Sequence, residues 1–95
     1  MNKIYFDTIS KVASYLKSEF QIKTLRVFGS CARGEERDDS DIDIFVDMPP
    51  KALKMVELKC FLQDLLQRPV DIVRNRTTLD PFLKNQIQKD GITIF

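Results

Sequence analysis

Asp41-Ile42-Asp43-Ile44-Phe45-Val46-Asp47 alternates with a period of two. In an extended chain Ile42, Ile44 and Val46 fall on one face, and Asp41, Asp43 and Phe45 on the other. The run therefore predicts a β-strand that buries one side. Immediately upstream, Thr24-Leu25-Arg26-Val27-Phe28 is a second short β-rich run, stopped by Gly29. Ser30 to about Gly34 fits one helical turn, and the charged residues 35–39 fit an exposed loop. Further back, Ile9, Val12, Ala13, Leu16 and Phe20 recur at helical spacing and predict a single amphipathic helix.

Downstream, Pro49-Pro50 punctuates the chain, and Met55, Leu58, Phe61, Leu62 and Leu65 mark a second long helix ending before Pro69. Val70-Asp71-Ile72-Val73 reads as a third strand. Asp80 and Pro81 suit the cap and first position of a helix that carries Phe82, Leu83 and Ile87. Gly91 would stop that helix, and residues 92–95 fit a short terminal strand. The order αβ(α)βαβα(β) describes an α/β (α+β) fold, one small domain over residues 1–95, with a mixed β-sheet of three to four strands flanked by helices. A helix between strands 41–47 and 70–73 favours a parallel, right-handed crossover, whereas the tighter link from 24–28 to 41–47 favours an antiparallel pair. That topology brings Gly29, Ser30, Asp41 and Asp71 to one edge of the sheet.

Composition narrows the function. With 43% hydrophobic and 31% charged residues the chain is a folded domain and not a disordered tail. Fifteen basic residues against 14 acidic ones leave a net charge of +1, without the clustered excess that a long nucleic acid recruits. There is no histidine, so Ser-His-Asp and Cys-His catalysis are excluded, and Cys31 and Cys60 do not form a zinc pattern. Free thiols fit a cytoplasmic location, with Cys60 expected as a small core residue. No apolar run is long enough to span a membrane, and the N-terminus lacks the apolar core of a signal peptide. Ninety-five residues leave little surface for two large substrate pockets, which leaves room for a partner chain or a second copy of this one to complete a site.

Asp41 and Asp43 lie two apart on a strand, so their carboxylates project together and would repel one another without a counter-charge. Mg²⁺ meets that need, being bound through one or two carboxylates with phosphate oxygens and water. An isolated Asp-x-Asp is more often solvated edge, but here Gly29-Ser30 follows a strand at the same edge. Glycine admits a phosphate to the backbone, Ser30 adds a hydroxyl, and both carry N–H donors.

Gly29-Ser30-Cys31-Ala32-Arg33-Gly34, five residues, then Ser40-Asp41-Ile42-Asp43 resembles the signature of the minimal nucleotidyltransferases of the DNA polymerase β-like superfamily. The resemblance spans essentially the whole chain. It implies a third carboxylate on the strand after the crossover helix, for which Asp71 is the good match; Asp47 is carried away from the edge. It further implies catalysis by Asp41, Asp43 and Asp71 with two Mg²⁺ ions roughly 3.5–4 Å apart, and binding of an NTP, expected as ATP, at Gly29 and Ser30. Arg33 has two readings left open, a phosphate contact or an ion-pair brace for the acidic loop 35–39. Arg68, Arg74 and Arg76 flank the third strand; such clusters are usually solvated surface, with an acidic partner or the NTP as the alternative.

For this family the resemblance implies an antitoxin that transfers AMP to a tyrosine of a HEPN-domain toxin. Two other functions compete: a non-catalytic binding module that neutralises its partner by covering it, and a small-molecule nucleotidyltransferase of the aminoglycoside type. The latter usually adds an acceptor-binding domain, for which no residues remain.

Overall fold

The alternation in 41–47 is satisfied on both sides of the sheet. The computed structural model describes residues 3–34 and 41–95, so the loop expected at 35–39 lies outside the described residues. In chain order the elements are α1 (Lys3–Lys11), α2 (Ala13–Glu19), β1 (Thr24–Phe28), α3 (Gly29–Arg33), β2 (Ile42–Asp47), α4 (Ala52–Leu66), β3 (Val70–Arg74), α5 (Pro81–Asp90) and β4 (Ile92–Thr93). The sheet order is β3-β2-β1-β4. β1 pairs antiparallel with β2, and β2 pairs parallel with β3, as the connections predict; β1 also pairs antiparallel with β4.

One face of the sheet carries Leu25, Val27, Ile42, Ile44 and Val46, packed with Ile9 of α1, Leu16 of α2, and Leu58 and Leu62 of α4; all nine are fully buried. The other face carries Phe28, Phe45 and Val73, covered by Ile87 and Leu83 of α5 and by Leu79. Phe45 is therefore not a solvent-facing residue but the floor of a second, smaller core. That second core occupies only part of its face, and the carboxylates of β2 and β3 stand beside it on the same face.

Two sequence expectations change. The predicted single helix over Ile9 to Phe20 is two helices, starting earlier, at Lys3, and broken at Val12 (φ −104°, ψ 11°). There the Val12 N–H donates to the Ile9 carbonyl at 3.1 Å, a tightened i→i−3 turn, yet Ile9 and Leu16 remain on the buried side. Cys60 is exposed rather than a core residue. Leu58, Leu62 and Leu66 set the buried stripe of α4 at four-residue spacing, and Cys60, two residues from Leu58, lies about 200° around the helix from it. Gly91 ends α5 as expected, with an extended backbone (φ −69°, ψ 142°). Its N–H donates to the Ile87 carbonyl at 2.8 Å, and the chain turns directly into β4. Asp80 caps α5 as expected, its Oδ1 accepting the Phe82 N–H at 3.0 Å, with Pro81 in the first turn.

Candidate active site

Register alone assembles the candidate site. Phe28 pairs with Asp43, and Asp43 with Asp71, so one row crosses β1, β2 and β3, and Gly29 follows directly on its β1 member. Asp41 lies one residue before β2 at the same end and is exposed, as is Asp71; Asp43 is half-buried. Asp47 pairs with Thr24 at the far end of β2, away from the row. The cleft lined by Gln21, Lys23, Asp47, Met48 and Pro49 is at that far end too, and no second carboxylate joins Asp47 in it.

Gly29 has a reason to be glycine beyond room for a ligand. Its φ is +75°, a left-handed conformation that side chains rarely adopt, and a Cβ there would collide with Asp43 Oδ2. The strand-to-helix turn and the half-buried carboxylate are thus fitted to each other. The α3 backbone includes Ser30, whereas the Ser30 hydroxyl and the Cys31 thiol lie outside what the structure describes.

Electrostatics single out Asp43. Burial first, then the charges of Asp71 and of Asp41, push its carboxyl above the ordinary range, and the Arg33 guanidinium works against them. Asp43 therefore feels the charges of both Asp71, its register partner, and Asp41. Among the described residues no three His, Cys, Asp or Glu side chains are gathered so that they could hold a metal ion together. An open set with surplus negative charge fits a hard divalent cation that completes its shell with phosphate oxygens and water.

Arg33 also has a partner that neither sequence reading named, while the loop of the brace reading lies outside the described residues. Its Nη1 lies 3.7 Å from Asp90 Oδ2 at the end of α5. Both side chains are partly exposed, so the pair adds little stability, but it ties the turn after β1 to the helix covering the second core. Asp90 was not identifiable from the sequence, because nothing local links it to a residue 57 positions away. The basic cluster also divides: Arg68 Nη1 donates to the Tyr5 hydroxyl at 3.3 Å and belongs to the α1 packing, while Arg74 and Arg76 stand along the end of β3.

With that geometry in place, comparison with known proteins is decisive. The polymerase beta nucleotidyltransferase family matches residues 10–95. The chain belongs to that family. It is accordingly a nucleotidyltransferase, and its small mixed sheet is the sheet of that family. A Methanocaldococcus jannaschii chain that carries the provisional name protein adenylyltransferase is 37% identical over 90 residues, covering 93% of this chain and 92% of its relative. Protein adenylyltransferase MntA of Thermococcus cleftensis is 45% identical over 60 residues, 61% of either chain. A chain of a toxin–antitoxin complex solved with AMP-PNP superposes with a TM-score of 0.78 at 26% identity, over 100% of this chain and 73% of that one. No helix among the described residues of this nucleotidyltransferase is long and apolar enough to cross a membrane.

Proposed function

We propose that this nucleotidyltransferase is a protein adenylyltransferase, moving AMP from ATP to a tyrosine hydroxyl of a HEPN-domain toxin in the cytoplasm and silencing it as an antitoxin. The observation that carries the reading is the row Phe28, Asp43 and Asp71 across three adjacent strands, with Gly29 following Phe28 and Asp41 at the same end of β2. Support for the acceptor class comes from the relatives named protein adenylyltransferase and from the AMP-PNP-bound toxin–antitoxin neighbour. The domain is read as a single unit over residues 1–95.

In this reading Asp41, Asp43 and Asp71 hold two Mg²⁺ ions, which when bound supply Lewis-acid stabilisation of the charge on the entering and leaving oxygens. Backbone N–H groups of Gly29 and Ser30, with the Ser30 hydroxyl, hold the terminal phosphates. Arg33 is close enough to influence Asp43 and supplies positive charge beside the triphosphate. The acceptor oxygen attacks the α-phosphorus in line; its new bond forms as the bond to the bridging oxygen breaks, and pyrophosphate leaves with the electron pair. The hydroxyl proton passes to Asp71, the exposed carboxylate paired with Asp43 across β2 and β3. Positioning and electrostatics thus carry the reaction, as is general for phosphoryl chemistry.

The test is transfer of label. The chain is incubated with α-labelled ATP, Mg²⁺ and the protein encoded by the neighbouring gene, and labelled residues are mapped by mass spectrometry. Label on a tyrosine of that protein is expected. No transfer from any NTP, with neutralisation of the toxin intact in an Asp41→Asn, Asp43→Asn double variant, would establish a binding module instead.

A further inference from the structure

Apart from the candidate nucleotide site, the outer edge of one strand adjoins a pocket among the described residues. β3 is the outer strand of the sheet, bordered on its inner side by β2. The Ile42 N–H donates to the Pro69 carbonyl, and the Asn75 N–H to the Val46 carbonyl. In a parallel ladder alternate residues bond to the neighbour, so 69, 71, 73 and 75 face β2, while Val70, Ile72 and Arg74 turn their N–H and C=O groups outward. Gln63 Oε1 accepts the Val70 N–H at 3.1 Å and closes the start of that edge. Among the described residues nothing closes it at Ile72 and Arg74.

Beside this open stretch lies a pocket of about 280 Å³, with Met55, Ile72, Leu79 and Leu83 among its lining and Arg74 and Arg76 on its rim. Arg74 Nη1 donates only to the Asn75 carbonyl, at 3.1 Å, and among the described residues neither arginine has a carboxylate within ion-pair distance. The elements are those of strand addition: open main-chain groups for affinity, an apolar pocket for one side chain, and uncompensated positive charge for selection.

We infer that the outer edge of β3 receives an extended, acidic segment of the protein that accepts the nucleotide, one apolar side chain seated against Met55 and Leu83 and its carboxylates on Arg74 and Arg76. Charge complementarity sets the occupant, since a second copy of this nearly neutral chain would bring these same arginines to its own edge. The placement also serves the reaction. Arg74 is three residues along the strand from Asp71, about 10 Å at the rise of a β-strand. Side chains alternate along a strand, so a segment anchored at Arg74 brings the residue three positions away to the level and the face of the carboxylate that receives the acceptor proton. The inference rests on the adenylyltransferase reading for the identity of the occupant, but the edge can be tested without turnover.

The experiment uses the full chain and the protein encoded by the neighbouring gene. Amide hydrogen exchange at Ile72 and Arg74 is measured free and in the complex, and affinity for the partner and for ATP is measured for the parent and for an Arg74→Glu, Arg76→Glu variant. Exchange at those two amides is expected to slow at least tenfold in the complex. The variant is expected to lose at least tenfold in partner affinity with ATP affinity unchanged. Unchanged exchange in a formed complex, or absence of a complex, overturns the inference. Slowing that depends instead on the concentration of this chain alone also overturns it, in favour of a self-paired dimer. Should the variant fail to fold, the exchange data on the parent decide. If the parent binds no ATP, the nucleotide reading fails separately, because partner affinity and exchange are read without it.

Discussion

Asp43→Asn is expected to abolish nucleotide transfer while making the metal-free protein more stable. The loss of activity should be on the order of a thousandfold, the scale seen when a group that stabilises transition-state charge is removed. The stability change has the opposite sign because burial, Asp71 and Asp41 raise the Asp43 pKa in the fold. A carboxylate whose folded pKa lies above its unfolded value binds its proton more tightly when folded. Its ionised form therefore costs stability at neutral pH, and the cost disappears as pH falls through the folded pKa. Asparagine removes that cost at every pH. Thermal denaturation in chelator should show the variant melting above the parent at pH 7, with the gap closing in acid. For a domain of this size each 1 kcal/mol moves the midpoint by roughly 4–8 °C, so a fractional gain is readable. A variant that melts at or below the parent at pH 7 would show that the carboxylate is not electrostatically frustrated.

Gly29→Ala is expected to damage both the fold at the turn and the reaction. The alanine must hold φ near +75°, at a cost of about 1–2 kcal/mol, and its methyl group meets Asp43 Oδ2. Either the turn or the carboxylate must shift, and a misplacement of ~1 Å in a site that works by positioning lowers the rate about a hundredfold. The collision makes the effect separable from backbone strain. Shortening the opposing side chain in an Asp43→Ala background removes the clash but leaves the φ penalty, so Gly29→Ala should destabilise that background less than it does the parent. Equal destabilisation in both, measured by urea unfolding, would mean that Gly29 and Asp43 are not fitted to each other.

These two residues also mark how far the sequence could be read. The alternation in 41–47, the β-rich runs at 24–28 and 70–73, and the connection lengths predict the central three strands and their directions, because each is a local periodicity or a chain-length constraint. Placing Asp41, Asp43 and Asp71 at one sheet edge follows from that topology. The contact between Gly29 and Asp43 does not, since it depends on the backbone angle at the turn and on the register of β1 against β2. Cys60 was misread because a cysteine among apolar residues looks like core until the Leu58, Leu62 and Leu66 stripe fixes the rotation of α4. The Arg33–Asp90 pair joins residues far apart in sequence. The open groups of Ile72 and Arg74 were hidden for another reason: the outer strand is identified only once β4 is seen pairing on the far side of β1.

The central claim is that Asp41, Asp43 and Asp71, with Gly29 and Ser30, form one cation–nucleotide site, and paramagnetic mapping tests it most directly. Mn²⁺ is titrated into the ¹⁵N-labelled chain with a non-hydrolysable ATP analogue, and amide broadening is followed residue by residue. Broadening should centre on Gly29, Ser30, Asp41 to Asp43 and Asp71, and vanish in the Asp41→Asn, Asp43→Asn variant. Broadening centred elsewhere, for example at the Gln21–Asp47 end of the sheet, or retained in that variant, would contradict it.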